Sequence, residues 1–569
     1  VKNISNSVLC LVLVLFVNVA LAQRPMKILG PGLNAGRTIF NQSYNRTLSR
    51  DTIYVLTGLY AVDSTYSITI PAGTVIMGDT AATLIIKRGA QIFANGTATQ
   101  PIVFTSNKPA GQRNGGDWGG IVILGSAPVN QANPSIEGGI LPGNFGGPGI
   151  GLGNPDDNSG IIRYVRIEFP GYRFQLNNEV NGLTLGGVGR GTTLEYVQVS
   201  YSYDDGFEWF GGTVDAKYLV AFGGIDDEFD TDFGYKGRVQ FAFGLKDPNV
   251  FEFAGGQTNG FESDNESSAS YREPRTLPRF SNITLVGPRR TDAITLPAGH
   301  RFEYVSVTRR GSQLSIYNSI LMGYPGGYSL RDLQSKTSAQ GDTLQVRNVS
   351  LQASGEGGLL QIHSSGTDPA GFVTSTWFNT PAFNNTGGTA TRQPSAIGLV
   401  DMSNFNNPDP RPAVGSEPAT AGVEFTNLNL LAGGWFTPTT YRGAFDPTRA
   451  RTQQWDAGWT NYNPQNTNYT TEVRQESNVA PNAFTLEQNY PNPFNPSTTI
   501  RFTLPAAARV EIAVYNVLGE EVATVVDEEM AAGTFTTTFD AGNLSSGIYV
   551  YTLKTNTGFS QARKMLLVR

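Results

Sequence analysis

YDDGFEWFGG (203–212) and IDDEFDTDFG (225–234) are one acidic, aromatic phrase written twice. Superposing residues 194–212 on 216–234 sets Tyr196 over Tyr218, Val197 over Leu219, Asp204 over Asp226, Asp205 over Asp227 and Phe207 over Phe229, a period of 22. At the same spacing Phe241 falls beneath Leu219, Phe251 beneath Phe229, and Glu252 beneath Asp230 and Glu208, which predicts a third coil. An earlier copy, RYVRI (163–167), precedes EYVQV (195–199) by 32 residues, as expected if one loop carries an insertion.

The N-terminal part repeats with a shorter period. SITIPAGTVIMG (67–78) and TLIIKRGAQIFANG (83–96) align at an offset of 16, pairing Ile68 with Leu84 and Gly73 with Gly89. Short apolar strands between glycine turns, repeating every 16 to 22 residues, suit a parallel β-solenoid, because each coil buries its apolar side only against its neighbours. Propeller blades repeat at about 40–50 residues and fit less well. NITL (282–285), NSIL (318–321) and NVSL (348–351) extend the pattern and predict an asparagine turn ladder.

Composition agrees with this class. Sixty-six glycines and 32 prolines in 569 residues punctuate β-branched and aromatic stretches, and the length calls for more than one domain. The net charge of −6 comes without a basic run, so no nucleic-acid footprint is present. Residues 1–22 read as a signal peptide: Val8 to Ala20 is a short apolar run behind Lys2, and Ala20-Leu21-Ala22 has the small-residue cleavage pattern. The run is too short for a membrane span. Cys10, the single cysteine, lies within it, so the mature chain is expected to have neither disulfides nor a cysteine nucleophile.

GTATQPIVFTS (96–106), GDWGGIVILG (116–125), the repeated acidic phrase, TYRGAF (440–445) and WDAGWTNY (455–462) together resemble secreted right-handed parallel β-helix proteins. The resemblance implies a parallel β-helix domain over 23–465, with an N-terminal cap and loop insertions, but no particular activity. Residues 466–484 are polar and read as a linker. After it, TTIRFTLP (498–505), ARVEIAVYN (508–516), GTFTTTFD (533–540) and GIYVYTLKTN (547–556) alternate apolar and polar positions, the pattern of a small immunoglobulin-like β-sandwich. QNYPNPFNPSTTIRF (488–502), VYNVLGEEV (514–522), LSSGIYVY (544–551) and ARKMLLVR (562–569) resemble the type A C-terminal sorting domain of the type IX secretion system. That resemblance implies that residues 485–569 engage the secretion machinery, and that the product is extracellular or attached to the outer-membrane surface.

If the phenylalanines point inward, Glu208, Asp230 and Glu252 form an outward stack at about 4.8 Å spacing, and each adjacent pair repels by about 0.9 kcal/mol even in water. Asp204 over Asp226 and Asp205 over Asp227 add two more stacks. A cation, or nearby Lys217, Lys236 or Arg238, would relieve them. Calcium suits an all-oxygen, irregular donor set, so these seven acids form the candidate calcium site. The competing reading makes the aspartates turn caps and the glutamates a solvated stripe. Catalysis as a calcium-dependent polysaccharide lyase or a glycoside hydrolase on acidic polysaccharides is the alternative, with Asp204, Asp205, Asp226 and Asp227 as acids. No catalytic residue is assigned, because the Gly-His-Gly and Arg-Ile-Lys phrases of polygalacturonase-like proteins are missing, and His300 and His363 read as surface or turn residues. Tyr203, Trp209, Phe210, Phe233 and Tyr235 offer a sugar-stacking platform or, alternatively, core. Trp118, Trp455 and Trp459 are expected to close the solenoid ends. The sequence therefore favours an exported glycan-binding, matrix-binding or adhesin-like β-helix.

Overall fold

The computed structural model describes residues 24–139, 143–174, 180–251, 256–425, 434–469, 473–477, 481–530, 532–541 and 544–568. The signal-peptide reading and Cys10 lie outside them. Two compact units are present, Met26–Asn468 and one containing Tyr469–Arg569. No helix among the described residues is long and apolar enough to cross a membrane.

The larger unit is a parallel β-helix whose coils turn past three faces. One face begins with Met26–Leu29, Ile53–Leu56, Val75–Gly78 and Ile102–Ser106; a second stacks eleven strands from Ile39–Gln42 to Ile362–Ser365. In the first coils the third face is separate, built from Arg46–Thr47, Ser67–Ile70 and Gln91–Asn95. From Gly160–Glu168 onward a single long strand serves the first and third faces. Its opening residues pair with Gln91–Asn95 and its closing residues with Ile102–Ser106.

The bend within each long strand is made by one residue of positive φ. Tyr164, Tyr196, Tyr218, Phe241, Asn282, Asn318 and Asn348 take φ of 50° to 63° at successive coils. This conformation costs a side-chain-bearing residue about 1–2 kcal/mol, which asparagine tolerates best. At the aromatic corners ring stacking offsets the cost, with centroids 4.3 Å apart for Tyr164–Tyr196 and Tyr196–Tyr218 and 5.3 Å for Tyr218–Phe241. Phe241 thus lies over Tyr218, and Ala242 over Leu219, one residue from the expected alignment.

Inside, Phe207, Phe229 and Phe261 form a fully buried column with centroids 5.6 Å apart at both steps. Phe261, not Phe251, holds the third rung, because an insertion lengthens that coil. Phe251 packs against Phe302 in a separate cluster with Leu296. Trp118 is also interior; its Nε1 donates to the Glu168 carbonyl at 2.8 Å, and a Cβ on Gly78 would lie 2.5 Å from its ring.

Residues 434–468 return along the bent corner as a strap. Trp455 packs on Tyr218, and Trp459 meets Tyr164 and Tyr196 edge-on. The strap exchanges paired hydrogen bonds with Gln198, through Asn461, and with Gln240, through Thr437, all 2.7–2.8 Å. Arg113 reaches the carbonyls of Pro464 and Thr467. These tryptophans therefore lace the side of the stack instead of closing its ends.

The smaller unit holds two four-stranded antiparallel sheets. One contains Val473–Ser477, Gly533–Asp540, Ser497–Leu504 and Thr485–Leu486; the other Glu521–Met530, Ala508–Tyr515, Gly547–Thr555 and Ser560–Leu567. Phe502, Ile512, Tyr551 and Leu567 lie in its core, a β-sandwich. Val473–Ser477, within the segment read as a linker, pairs with Gly533–Asp540.

Asn282 combines the corner φ with hydrogen bonds to Thr439, Tyr441 and Gly443 of the strap. Asn282→Gly and Asn282→Ala both lose those bonds, and only alanine adds strain. Denaturant unfolding should rank wild type above glycine and glycine above alanine, the last gap being about 1 kcal/mol; equal stability of the two variants would contradict the strain assignment.

Candidate metal centre

The acidic phrases occupy the turns leading into the second face. A side-chain ladder fixes these turns: Asn181 Oδ1 accepts the Asp205 N–H at 3.2 Å, and Asp205 Oδ1 accepts the Asp227 N–H at 2.9 Å. Asp227 Oδ1 then accepts the Asn259 N–H, and Asn259 Oδ1 that of Tyr304 at 3.2 Å. Each residue caps its counterpart one coil on. The rung sequence is Asn, Asp, Asp, Asn.

The ladder uses one oxygen of each aspartate and leaves the rest of the carboxylate to its neighbours. Asp204, Asp205 and Asp226 bring one oxygen each within 4.8 Å of one another, and so do Asp205, Glu208 and Asp230. The two triples share Asp205. Glu208, Asp230 and Glu262 stack in strand register on the outer side of Phe207–Phe210, Phe229–Asp232 and Phe261–Ser263. Glu252, expected on that third rung, lies outside the described residues, and Glu262 stands there. Asp227 belongs to neither triple.

Burial makes this carboxylate density expensive. It raises Asp205 well above the ordinary range, helped by Asp204, Asp227, Asp230 and Asp226. It does the same to Glu208, with Glu137 and Asp230, and to Asp230, with Glu262 and Asp264. Glu262 is pushed up to about 8 by burial and Asp227, against the opposing pull of Arg309. Beneath the turn, Glu228 points inward, accepts the Tyr324 hydroxyl at 2.6 Å and lies 3.6 Å from fully buried Lys246; burial raises it to about 7. Lys246 in turn donates to the carbonyls of Gly224 and Asp226.

The compensating cations are not the expected ones. Lys217 lies over Trp435, Arg238 pairs with Asp215, and Lys236 stands 4.0 Å from Glu273. Arg309 instead engages Glu262 and Asp264, and Arg310 reaches Asp264 at 2.6 Å. Burial depresses the Arg309 guanidinium, yet Glu262 and Asp264 outweigh that and hold it above its ordinary value. Glu262 and the ladder residue Asn259 were legible in NGFESDN (259–265), a degenerate third copy of the phrase. Arg309 and Arg310 carried no such signal.

The expected aromatic platform is mostly core. Trp209 and Tyr235 are fully buried, Phe210 packs with Phe145 and Phe233, and half-buried Tyr203 lies beneath the Arg173 guanidinium. His363 accepts or donates a 2.9 Å hydrogen bond with Ser329, and burial together with Arg331 lowers it. His300 lies 3.8 Å from Glu356.

An all-oxygen donor set of this charge fits a hard divalent cation such as calcium. Asp230 Oδ1, buried and without a hydrogen-bond partner among the described residues, is an oxygen such an ion would satisfy.

The profile of the pectate-lyase-like β-helix domain matches residues 40–394, more than half of the chain. The chain belongs to that family. A secretion-system C-terminal sorting domain matches residues 488–568 and is of the type IX class. A comparison with curated proteins gives no match. Membership in the β-helix family accounts for the stacked coils and leaves the chemistry to the site.

The raised carboxyls bind protons more tightly folded than unfolded. Their contribution to stability is therefore present below the ordinary carboxylate value of 4.5 and lost as pH rises through about 7 for Glu228 and about 8 for Glu262. With divalent cations chelated, the melting temperature should fall between about pH 5 and pH 8. A rise across that window would contradict the assigned burial.

Proposed function

We propose that this exported β-helix is a non-catalytic binding protein that holds calcium on its second face and through it engages an acidic glycan of a matrix or cell surface. The observation that carries this reading is the pair of carboxylate triples sharing Asp205. The ladder supports it. Asn181 and Asn259 do the same capping work as Asp205 and Asp227 without charge, so the two middle charges add nothing to the turn. Buried like charges at adjacent rungs are a cost that a bound cation would remove. The sorting domain supports delivery to the cell surface or beyond, where free calcium and polysaccharide are available.

Two features favour binding over catalysis. Arg309 and Arg310 are committed to ion pairs with Glu262 and Asp264, which suits them poorly to proton abstraction. His363 stands three rungs beyond Glu262, through Val307 and Ser329, or about 14 Å at strand spacing. The raised carboxyls favour the second reading, a calcium-dependent lyase or a hydrolase, since a protonated acid beside a carboxylate is the usual hydrolytic pair.

Calorimetry with calcium, followed by uronic-acid oligosaccharides, tests the proposal. Calcium should bind, raise the stability by about 2.7 kcal/mol at a hundred times the dissociation constant, and be required for the oligosaccharide. Asp205→Asn keeps the cap and removes the charge common to both triples, so it should abolish calcium binding without unfolding the chain. Melting indifferent to millimolar calcium would refute the site. New reducing ends or unsaturated products would establish the catalytic reading.

A further inference from the structure

The outer face of the sandwich sheet formed by Glu521–Met530, Ala508–Tyr515, Gly547–Thr555 and Ser560–Leu567 differs at its two ends. At one end charges pair, Lys554 with Glu511 at 3.5 Å and Arg509 with Asp527 at 2.9 Å. At the other end, the hairpin between Tyr515 and Glu521 presents Val517 and Leu518, 75% and 79% exposed. Tyr515 pairs with Val550 and Gly547 with Leu567, so this tip shares its end of the sheet with Ile548, Leu566 and Val568. Ile548 and Leu566 oppose each other directly, and Met565 and Leu567 turn inward, leaving Leu566 and Val568 exposed.

The tip is held rigidly. Asn516 Oδ1 accepts the N–H groups of Leu518 and Glu520, both at 3.0 Å, and Gly519 at φ 81° closes the turn. Hairpin tips ordinarily carry polar or small residues. Two aliphatic side chains fixed at an apex beside three more make a preorganised apolar contact, which costs little entropy to dock.

We propose that this end of the sandwich is the surface gripped by the type IX secretion machinery, through an apolar groove that takes the Val517–Leu518 tip. The proposal rests on the export reading and names the residues that act in it. Its five apolar residues come from VYNVLGEEV, LSSGIYVY and ARKMLLVR, phrases inside the matched sorting domain. Five partly exposed aliphatic side chains fall short of the roughly 1,000 Å² that a lasting interface buries, which suits a transient carrier and not a stable second copy.

The full-length protein is followed in a bacterium possessing the secretion system, comparing Val517→Asp/Leu518→Asp with Glu511→Gln/Lys554→Gln at the charged end. The first should lower the fraction delivered outside the cell at least tenfold, with an unchanged melting curve for the retained protein; the second should leave delivery unchanged. Deleting residues 488–568 is the reference. If deletion traps the protein and the tip variant is delivered normally, the surface assignment is wrong. If deletion itself leaves delivery intact, the export reading fails, and the surface with it. A homodimer in sedimentation that the tip variant dissolves would give the surface to a second copy and overturn the proposal.

Discussion

In-register parallel pairing governs this protein, because it sets each side chain directly above its counterpart one coil away. For apolar residues the arrangement is favourable without further design. Phe207, Phe229 and Phe261 gain ring contacts at every step and exclude water from the interior. For charged residues the same register is adverse, since alternation along the strand sends Glu208, Asp230 and Glu262 outward in an equally regular column. The core and the acidic face are two consequences of one pairing.

Closing a coil around that core requires sharp corners, and the chain makes them in two ways. The early coils spend several residues, as in Pro71–Thr74 between Ser67–Ile70 and Val75–Gly78. The later ones use a single left-handed residue inside a continuous strand. This second solution lines up strained residues along one edge. Stacked rings relieve the edge over the first four such positions and asparagine over the next three, while the strap of residues 434–468 supplies the hydrogen-bond partners that a bent strand cannot find in its neighbours. Local strain and long-range lacing are therefore coupled.

The acidic turns show how one residue type can serve two ends. An Asx side chain capping the next coil's N–H needs a single carbonyl-like oxygen, and asparagine supplies it at both ends of the ladder. Aspartate in the middle retains the cap and contributes charge at a buried position. Arg309 and Arg310 balance only the Glu262 and Asp264 side. The excess negative charge is left around Asp205, the residue common to both triples.

The repeat was legible from the sequence because coils that stack in register must reuse the same residue types: the 22-residue echo gives the fold class, the inward phenylalanines and the outward acids without any coordinates. The sorting-domain strands were equally plain from alternation and turn residues. Insertions broke this legibility. The coil after residue 245 is longer than the two before it, so extrapolating a fixed period put Phe251 and Glu252 on a rung that belongs to Phe261 and Glu262. A period also reports only neighbours along the stack. The strap reaching back from Asn461 to Gln198, the arginines at 309 and 310 and the inward turn of Glu228 join residues unrelated by the repeat, and only the folded chain brings them together. In the N-terminal coils the 16-residue alignment set Ile68 on Leu84, whereas Ile68 stacks on Ile92 and Leu84 on Tyr60, each 24 residues away. Sequence periodicity determined what lies above and below the residues of the 22-residue coils; the tertiary structure decided what lies beside them, because lateral contacts depend on loop paths that carry no periodic constraint.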